Sequence, residues 1–213
     1  MLYGANPDKI KVIYNGIDHQ LFKVRPAKEI AAFRKKYKLK NPFALCVGIG
    51  KKHKNVDFVV RSLKNLWDGD LKLDLCIAGT GGKLPGYLAD ALNGFEYSDR
   101  IRILPFFENH ELPLLYGAAD VFIMPSLLEG FGFPLAEAMA CGTPVISSSR
   151  SSLPEVGGDV PLYFDPEAES ELREVVLRVL ENKSIRMRMR KEGPAQARNF
   201  TWDAHVDALI PLY

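Results

Sequence analysis

Two carboxylates, Glu129 and Glu137, flank a turn of glycines and aromatics in the stretch LLEGFGFPLAEAMACGTPV, residues 127 to 145. Such a pair can share acid and base work, or it can hold two parts of one ligand. Gly130 and Gly132 remove side chains where the backbone must turn tightly, and Pro134 suits the first turn of a helix, where its missing N–H would be unpaired anyway. The pattern predicts a helix starting near Phe133, with Glu129 on the preceding loop and Glu137 inside the first turn. The free N–H groups and positive dipole end of that helix would suit a diphosphate. Alone, Glu137 could merely offset the helix dipole and Glu129 could be an exposed loop acid. Together, with a phosphate-ready turn between them, they favour a binding site.

A second segment of interest is GIGKKHKN, 48 to 55, which places Lys51, Lys52, His53 and Lys54 side by side; one or two ammonium groups there could neutralise a diphosphate. The stretch GTGG, 79 to 82, offers a possible nest of backbone N–H groups, but it lacks the full G-x-G-x-x-G pattern and has no acid at ribose distance. Other chemistries find less support. No serine sits in a G-x-S-x-G elbow, and His19, His53, His110 and His205 are isolated from one another and from any metal-spaced cluster, so they read as solvated. Cys46, Cys76 and Cys141 are too widely spaced for a zinc motif or a disulfide framework and read as buried, reduced thiols.

The elements that must position these residues follow from the apolar runs. Strand-like segments recur at 9–14, 43–48, 73–79, 101–104, 120–126, 144–148 and 161–164. Between several of them apolar residues fall three and four apart, as in Val56, Val59, Val60 and Leu63, or Leu112, Leu115, Tyr116 and Ala119. Near-continuous apolar strands alternating with helices indicate an α/β domain with a Rossmann-like, doubly wound parallel sheet. Ligands of such sheets bind at the carboxyl ends of the strands. The loops at 48–55, 79–83, 105–111, 126–134 and 147–155 are therefore expected to share one rim. Beyond Phe164 the chain reads as helical throughout.

With 213 residues, 47% hydrophobic and 25% charged, the chain has enough apolar material for one substantial core. A formal net charge of +2 is too small to argue for nucleic acid, and the basic runs at 33–40 and 186–191 read as solvated helix faces. The first residues lack the pattern of a secretory signal and no run reaches membrane-spanning length, which points to the cytoplasm or the cytoplasmic face of a membrane.

The stretch EGFGFPLAEAMACGTPVISSSRSSLPEV resembles the signature region of the retaining GT-B glycosyltransferases of the glycosyltransferase group 1 (family 4-like) type. The likeness extends to KIKVIYNGID, CVGIGKKHKNVDFVVRSL, LCIAGTG, RILPFFENHELPLLYGAADVFIMPSLLEGFG and FDPE, covering nearly the whole chain. It implies one half of a GT-B fold, with residues 1–213 as the C-terminal sugar-nucleotide domain; about 1–26 would enter from a missing N-terminal acceptor domain, and about 183–213 would form helices crossing back to it. The donor implied is a UDP- or GDP-sugar, used without a metal ion or other cofactor. By residue, the resemblance implies Glu137 on the ribose and Glu129 near the donor sugar and its departing phosphate. It places backbone N–H groups around Gly130, Phe131, Gly132, Phe133 and Leu135 on the diphosphate, and the base against the backbone at Phe107. Lys54 matches a lysine that stabilises the leaving diphosphate; the family's usual arginine position holds Ile49, for which Lys51 is the substitute cation.

The chemistry implied is attack by an acceptor hydroxyl at the anomeric carbon with retained configuration, in cell-surface polysaccharide or glycolipid synthesis, with peripheral membrane association of the full-length enzyme. The chain alone is expected to bind donor nucleotide and to transfer sugar poorly or not at all. Two alternatives stay open: a non-catalytic nucleotide- or partner-binding module of the same fold, and a GT-B sugar-nucleotide epimerase or phosphorolytic enzyme.

Overall fold

The computed structural model describes residues 4, 6–48, 50–79, 81 and 83–212. Six of the apolar runs form strands: β1 (Phe43–Val47), β2 (Asp74–Ala78), β3 (Ile101–Ile103), β4 (Val121–Met124), β5 (Val145–Ser148) and β6 (Leu162–Phe164). They pair in parallel in the order β3-β2-β1-β4-β5-β6. The four inner strands are almost wholly buried, whereas β3 and β6, each with one face of hydrogen-bonding groups unpaired, are short and half-buried. That division explains why the inner strands read as continuous apolar runs: helices cover both of their faces.

The covering helices are α1 (Ala27–Lys36), α2 (Val56–Asp68), α3 (Gly86–Leu92), α4 (Leu112–Ala118), α5 (Phe133–Ala140), α6 (Leu153–Gly157), α7 (Glu169–Glu181), α8 (Lys183–Ala197) and α9 (Trp202–Leu209). On α2 the expected stripe of Val56, Val59, Val60 and Leu63 is buried, and α2 packs against α7. Helix α8 lies against α5, where a side chain on Gly193 would come within 3.0 Å of the Met139 carbonyl. Successive strands step outward from β1 through β2 to β3, then the chain returns to the other side of β1 to lay down β4. The sheet's order therefore reverses between β1 and β4, and their adjacent carboxyl ends open a crevice there.

The run at 9–14 is not a strand. Residues 10–18 have no regular structure, and Ile10 and Val12 are 57% and 66% exposed. Its last carbonyl and the residues just after it are tied to the C-terminal part of the chain rather than to a sheet edge. The Ile17 N–H and His19 Nε2 donate to the Phe200 carbonyl at 3.1 and 3.0 Å, and His205 Nδ1 donates to the Tyr14 carbonyl at 2.8 Å. Two histidines that read as solvated thus act as tethers. At Gly16 the two segments touch backbone to backbone, since a Cβ there would lie 2.2 Å from the Trp202 nitrogen.

The basic runs also differ from expectation. Exposed Lys36 pairs with Glu111 at 2.7 Å, and the arginines satisfy backbone carbonyls left over at element ends. Arg34 donates to the carbonyls of Leu39, Asn41 and Ala118 and pairs with Asp120 at 3.3 Å; Arg186 donates to Val179 and Leu180 at the end of α7, and Arg188 to Asp159 and Val160. All three cysteines are free and buried, and burial pushes the Cys76 and Cys141 thiols up to about 12. No helix among the described residues is long and apolar enough to cross a membrane.

Candidate functional site

Glycines close the carboxyl ends of β1 and its neighbour β2, beside the crevice. Gly48 and Gly79, which follow β1 and β2, have φ of +79° and +96°, and a Cβ on Gly79 would lie 2.9 Å from the Gly48 nitrogen. The two backbones therefore approach more closely than any side chain permits. The chain then makes a single 3-10 turn, Lys52–Lys54, and enters α2 through Asn55, which adopts the left-handed region at φ +56°. Asparagine tolerates that conformation better than most residues. Asn55 is buried, and its amide donates to the carbonyls of Pro125 and Pro166 at 3.3 and 3.0 Å, which ties the β1 loop to the loops after β4 and β6. The Leu127 N–H adds a bond to the His53 carbonyl at 2.8 Å.

These ties bring together two residues 75 positions apart: Lys54 Nζ lies 2.7 Å from Glu129 Oε1, with side chains only 19% and 10% exposed. Lys51 is exposed on the same loop. Ile49 and two members of the GTGG stretch, Thr80 and Gly82, lie outside the described residues. The turn that carries Glu129 is itself fastened from below by two serines. Ser151 Oγ donates to the Glu129 carbonyl at 2.6 Å and accepts from its N–H at 3.2 Å; Ser152 Oγ bridges the Glu129 and Phe131 carbonyls at 3.1 Å each. Neither serine was legible as a site residue, though the run SSSRSS after a strand was the available signal.

Helix α5 begins at Phe133 as its sequence predicts, capped by Gly132 at φ +98° with no side-chain cap. A Cβ on Gly132 would meet Leu153 Cδ2 at 2.7 Å, so both conformation and space require glycine. The N–H groups of Gly130, Phe131, Gly132 and Phe133 have no hydrogen-bond partner among the described residues, whereas the Leu135 N–H donates to the Gly132 carbonyl at 3.0 Å. Leu135 is thus spent on the helix's own first turn. Its side chain and those of Phe131 and Phe107 are buried, leaving only backbone to face a ligand; Phe107 packs against Phe33 and Tyr37. Phe133 is 39% exposed at the mouth.

Glu137 stands in the second turn of α5, not the first, because the helix starts at Phe133 and holds no acid in its opening turn. One of its carboxylate oxygens, Oε2, accepts a 2.7 Å hydrogen bond from the Tyr116 hydroxyl on α4. Burial raises the Glu137 carboxyl above its ordinary value, with the Tyr116 hydrogen bond opposing. The two glutamates are therefore held differently, Glu129 by a cation and Glu137 by a neutral donor, so they are not equivalent members of an acid/base pair. No cluster of three or more potential metal ligands occurs among the described residues.

The crevice thus offers unpaired backbone N–H groups at a helix start, a lysine at the opposite lip and two carboxylates able to accept from hydroxyls. That combination suits a ligand with both phosphate and polyhydroxyl parts.

Residues 28–196 match the model of a protein family described as glycosyl transferases group 1. Among curated proteins, the chain is 33% identical over 172 residues to an O-antigen chain mannosyltransferase B of Escherichia coli, covering 80% of this chain and 45% of that protein. Among solved structures, Anabaena HepE in complex with UDP-glucose superposes with a TM-score of 0.83 at 21% identity, over 98% of this chain and 58% of that one. The C-terminal domain of a glycosyl transferase group 1 family protein, LpcC of Francisella tularensis, gives a TM-score of 0.71 at 19% identity, over 86% of this chain and 97% of that one. The chain spans about half the length of the curated relatives it matches.

Proposed function

The chain belongs to the group 1 glycosyl transferases, and from that premise we propose that it binds the nucleoside diphosphate sugar for a transferase that moves the sugar to an acceptor hydroxyl with retained configuration. The observation that carries the reading is the set of unpaired N–H groups at Gly130 to Phe133, bracketed by Lys54–Glu129 on one side and Glu137 on the other. Residues 1–213 act as the C-terminal donor domain of a GT-B fold, and the acceptor is recognised by a further domain of the kind that the longer relatives have room for. A relative that transfers mannose and a structural neighbour that holds UDP-glucose leave both UDP- and GDP-sugars as donors to test.

In this reading the diphosphate lies over the start of α5, where it accepts from the Phe131, Gly132 and Phe133 N–H groups, and the base lies against the backbone near Phe107. Glu137 accepts from the ribose and Glu129 from the sugar. The Lys54 ammonium is already neutralised by Glu129. A diphosphate with two negative charges competes for it, and Lys51, the substitute for an arginine at the position of Ile49, adds a second cation from the exposed lip. Transfer forms a bond from the acceptor oxygen to the anomeric carbon. The bond from that carbon to the phosphate oxygen breaks, its electron pair stays on the diphosphate, and the acceptor's proton passes to the departing phosphate. Fixed N–H dipoles and ammonium groups stabilise the charge that develops, a role worth about 10²–10³ in rate per donor in comparable sites. The full-length enzyme works at the cytoplasmic face of a membrane, as a peripheral protein, in polysaccharide or glycolipid synthesis.

Calorimetric titration of the chain with UDP, GDP, ADP and the matching sugar nucleotides tests this. Binding to at least one, with little or no transfer to simple sugar acceptors, is expected. Absence of binding to every nucleotide would refute the donor role, and robust transfer by the chain alone would refute the need for a further domain. Binding of nucleotide without any sugar-dependent contribution would favour the non-catalytic module.

A further inference from the structure

Tyr116 stands out because it is fully buried on α4 and yet polar. A buried phenol needs a partner, and among the described residues this one has a single acceptor to donate to, Glu137 Oε2 at 2.7 Å. The ring has little freedom to turn away. It is met edge-on by Phe122 at 5.6 Å and by Phe22 at 6.2 Å, and the Thr143 hydroxyl, itself fully buried, donates to the Tyr116 carbonyl at 2.8 Å. Glu137, by contrast, has three rotatable side-chain bonds and would otherwise sample several orientations. Among the described residues nothing donates to its other oxygen, Oε1, which is not sealed from solvent.

The carboxylate is therefore fixed at one oxygen from behind and open at the other. We propose that Tyr116 is a positioning residue for donor recognition, whose hydroxyl holds Glu137 in the orientation that accepts from the ribose hydroxyls. The proposal rests on Glu137 meeting the ribose. It adds that the orientation of that contact is set from α4, an element with no predicted part in the site. Preorganisation of this kind strengthens binding by sparing the ligand the work of ordering the side chain. Burial holds the Tyr116 phenol well above its ordinary value, so it remains a donor throughout the pH range of binding.

The test uses whichever of UDP or GDP the wild-type chain binds, together with the 2′,3′-dideoxy form of the same nucleotide. Tyr116→Phe should weaken the full nucleotide about tenfold, the equivalent of one hydrogen bond to a charged group, while binding of the dideoxy form stays within twofold of wild type. In a Glu137→Ala background, where Tyr116 has nothing at position 137 to orient, adding Tyr116→Phe should leave the preference for the ribose-bearing ligand unchanged. If Tyr116→Phe alone does not fold, Thr143→Val provides the second variant, with a smaller loss again confined to the ribose-bearing ligand. Equal weakening of both ligands would mean that Tyr116 only supports the core, and would overturn the proposal. A wild-type chain that binds both forms equally would remove Glu137 from the ribose and the proposal with it, while leaving nucleotide binding intact. Binding of neither form would refute the donor reading itself.

Discussion

At the scale of single residues, the cost of the proposed donor contact falls on Glu137. A partly buried carboxylate on α5 met by one neutral donor is disfavoured in its charged form, so the folded chain holds that proton to higher pH than the unfolded chain does. The stability this group contributes is fully present below the ordinary carboxyl value and is lost as pH rises through the raised folded value. Glu137→Gln keeps an acceptor for Tyr116 and discards the charge. It should therefore raise the unfolding midpoint at neutral pH, with the gain vanishing as the pH falls below about 4, while nucleotide affinity declines. Urea denaturation across that pH range checks this, and an equal gain at every pH would show that the charge is not the cause. A stability gain coupled to an affinity loss is the trade that the proposed ligand contact predicts.

At the scale of elements, the site is a fastening of loops. The loop after β1 carries Lys54, the loop after β4 carries Glu129, and their 2.7 Å ion pair joins the two lips of the crevice with little solvent around it. Leaving either charge without the other in such a setting costs more than removing both. Lys54→Met should destabilise the chain by about 2–3 kcal/mol, and Lys54→Met with Glu129→Gln should recover at least half of that. A double-mutant cycle by chemical denaturation gives the coupling, and additive losses would mean that the pair contributes nothing as a pair. The serines at 151 and 152 and the amide of Asn55 belong to the same fastening. They hold backbone rather than ligand, which is why their types alone did not mark them.

At the scale of the whole molecule, the first described segment and the last helix are joined through Gly16, Phe200 and two histidines, and that joint reaches the site. Phe200 packs edge-on against Phe131 of the phosphate-ready turn, 5.3 Å between ring centres, and against Tyr14 at 5.6 Å. Gly16→Ala would force a methyl group into the Trp202 backbone and should loosen α9. Limited proteolysis should then cut within 199–209 faster than in the wild type, with the sheet intact by circular dichroism; an unchanged cleavage pattern would refute the joint. Much of this molecule was legible in advance. The apolar runs dictated a parallel sheet, because strands buried on both faces leave near-continuous hydrophobic stretches, and Gly132 with Pro134 dictated the start of α5, because few other residues fit those conformations. The run at 9–14 has the composition of a strand, yet strand formation needs a neighbour to bond with, and only the assembled chain shows that its last carbonyl, at Tyr14, goes to α9, while Ile17 and His19 just beyond it bond Phe200. Sequence by itself determined the sheet, the turn between the glutamates and the residues that line it. Only the tertiary structure decided which of them are paired, Lys54 with Glu129 and Tyr116 with Glu137, because partners 75 and 21 positions apart meet through packing that no local pattern encodes.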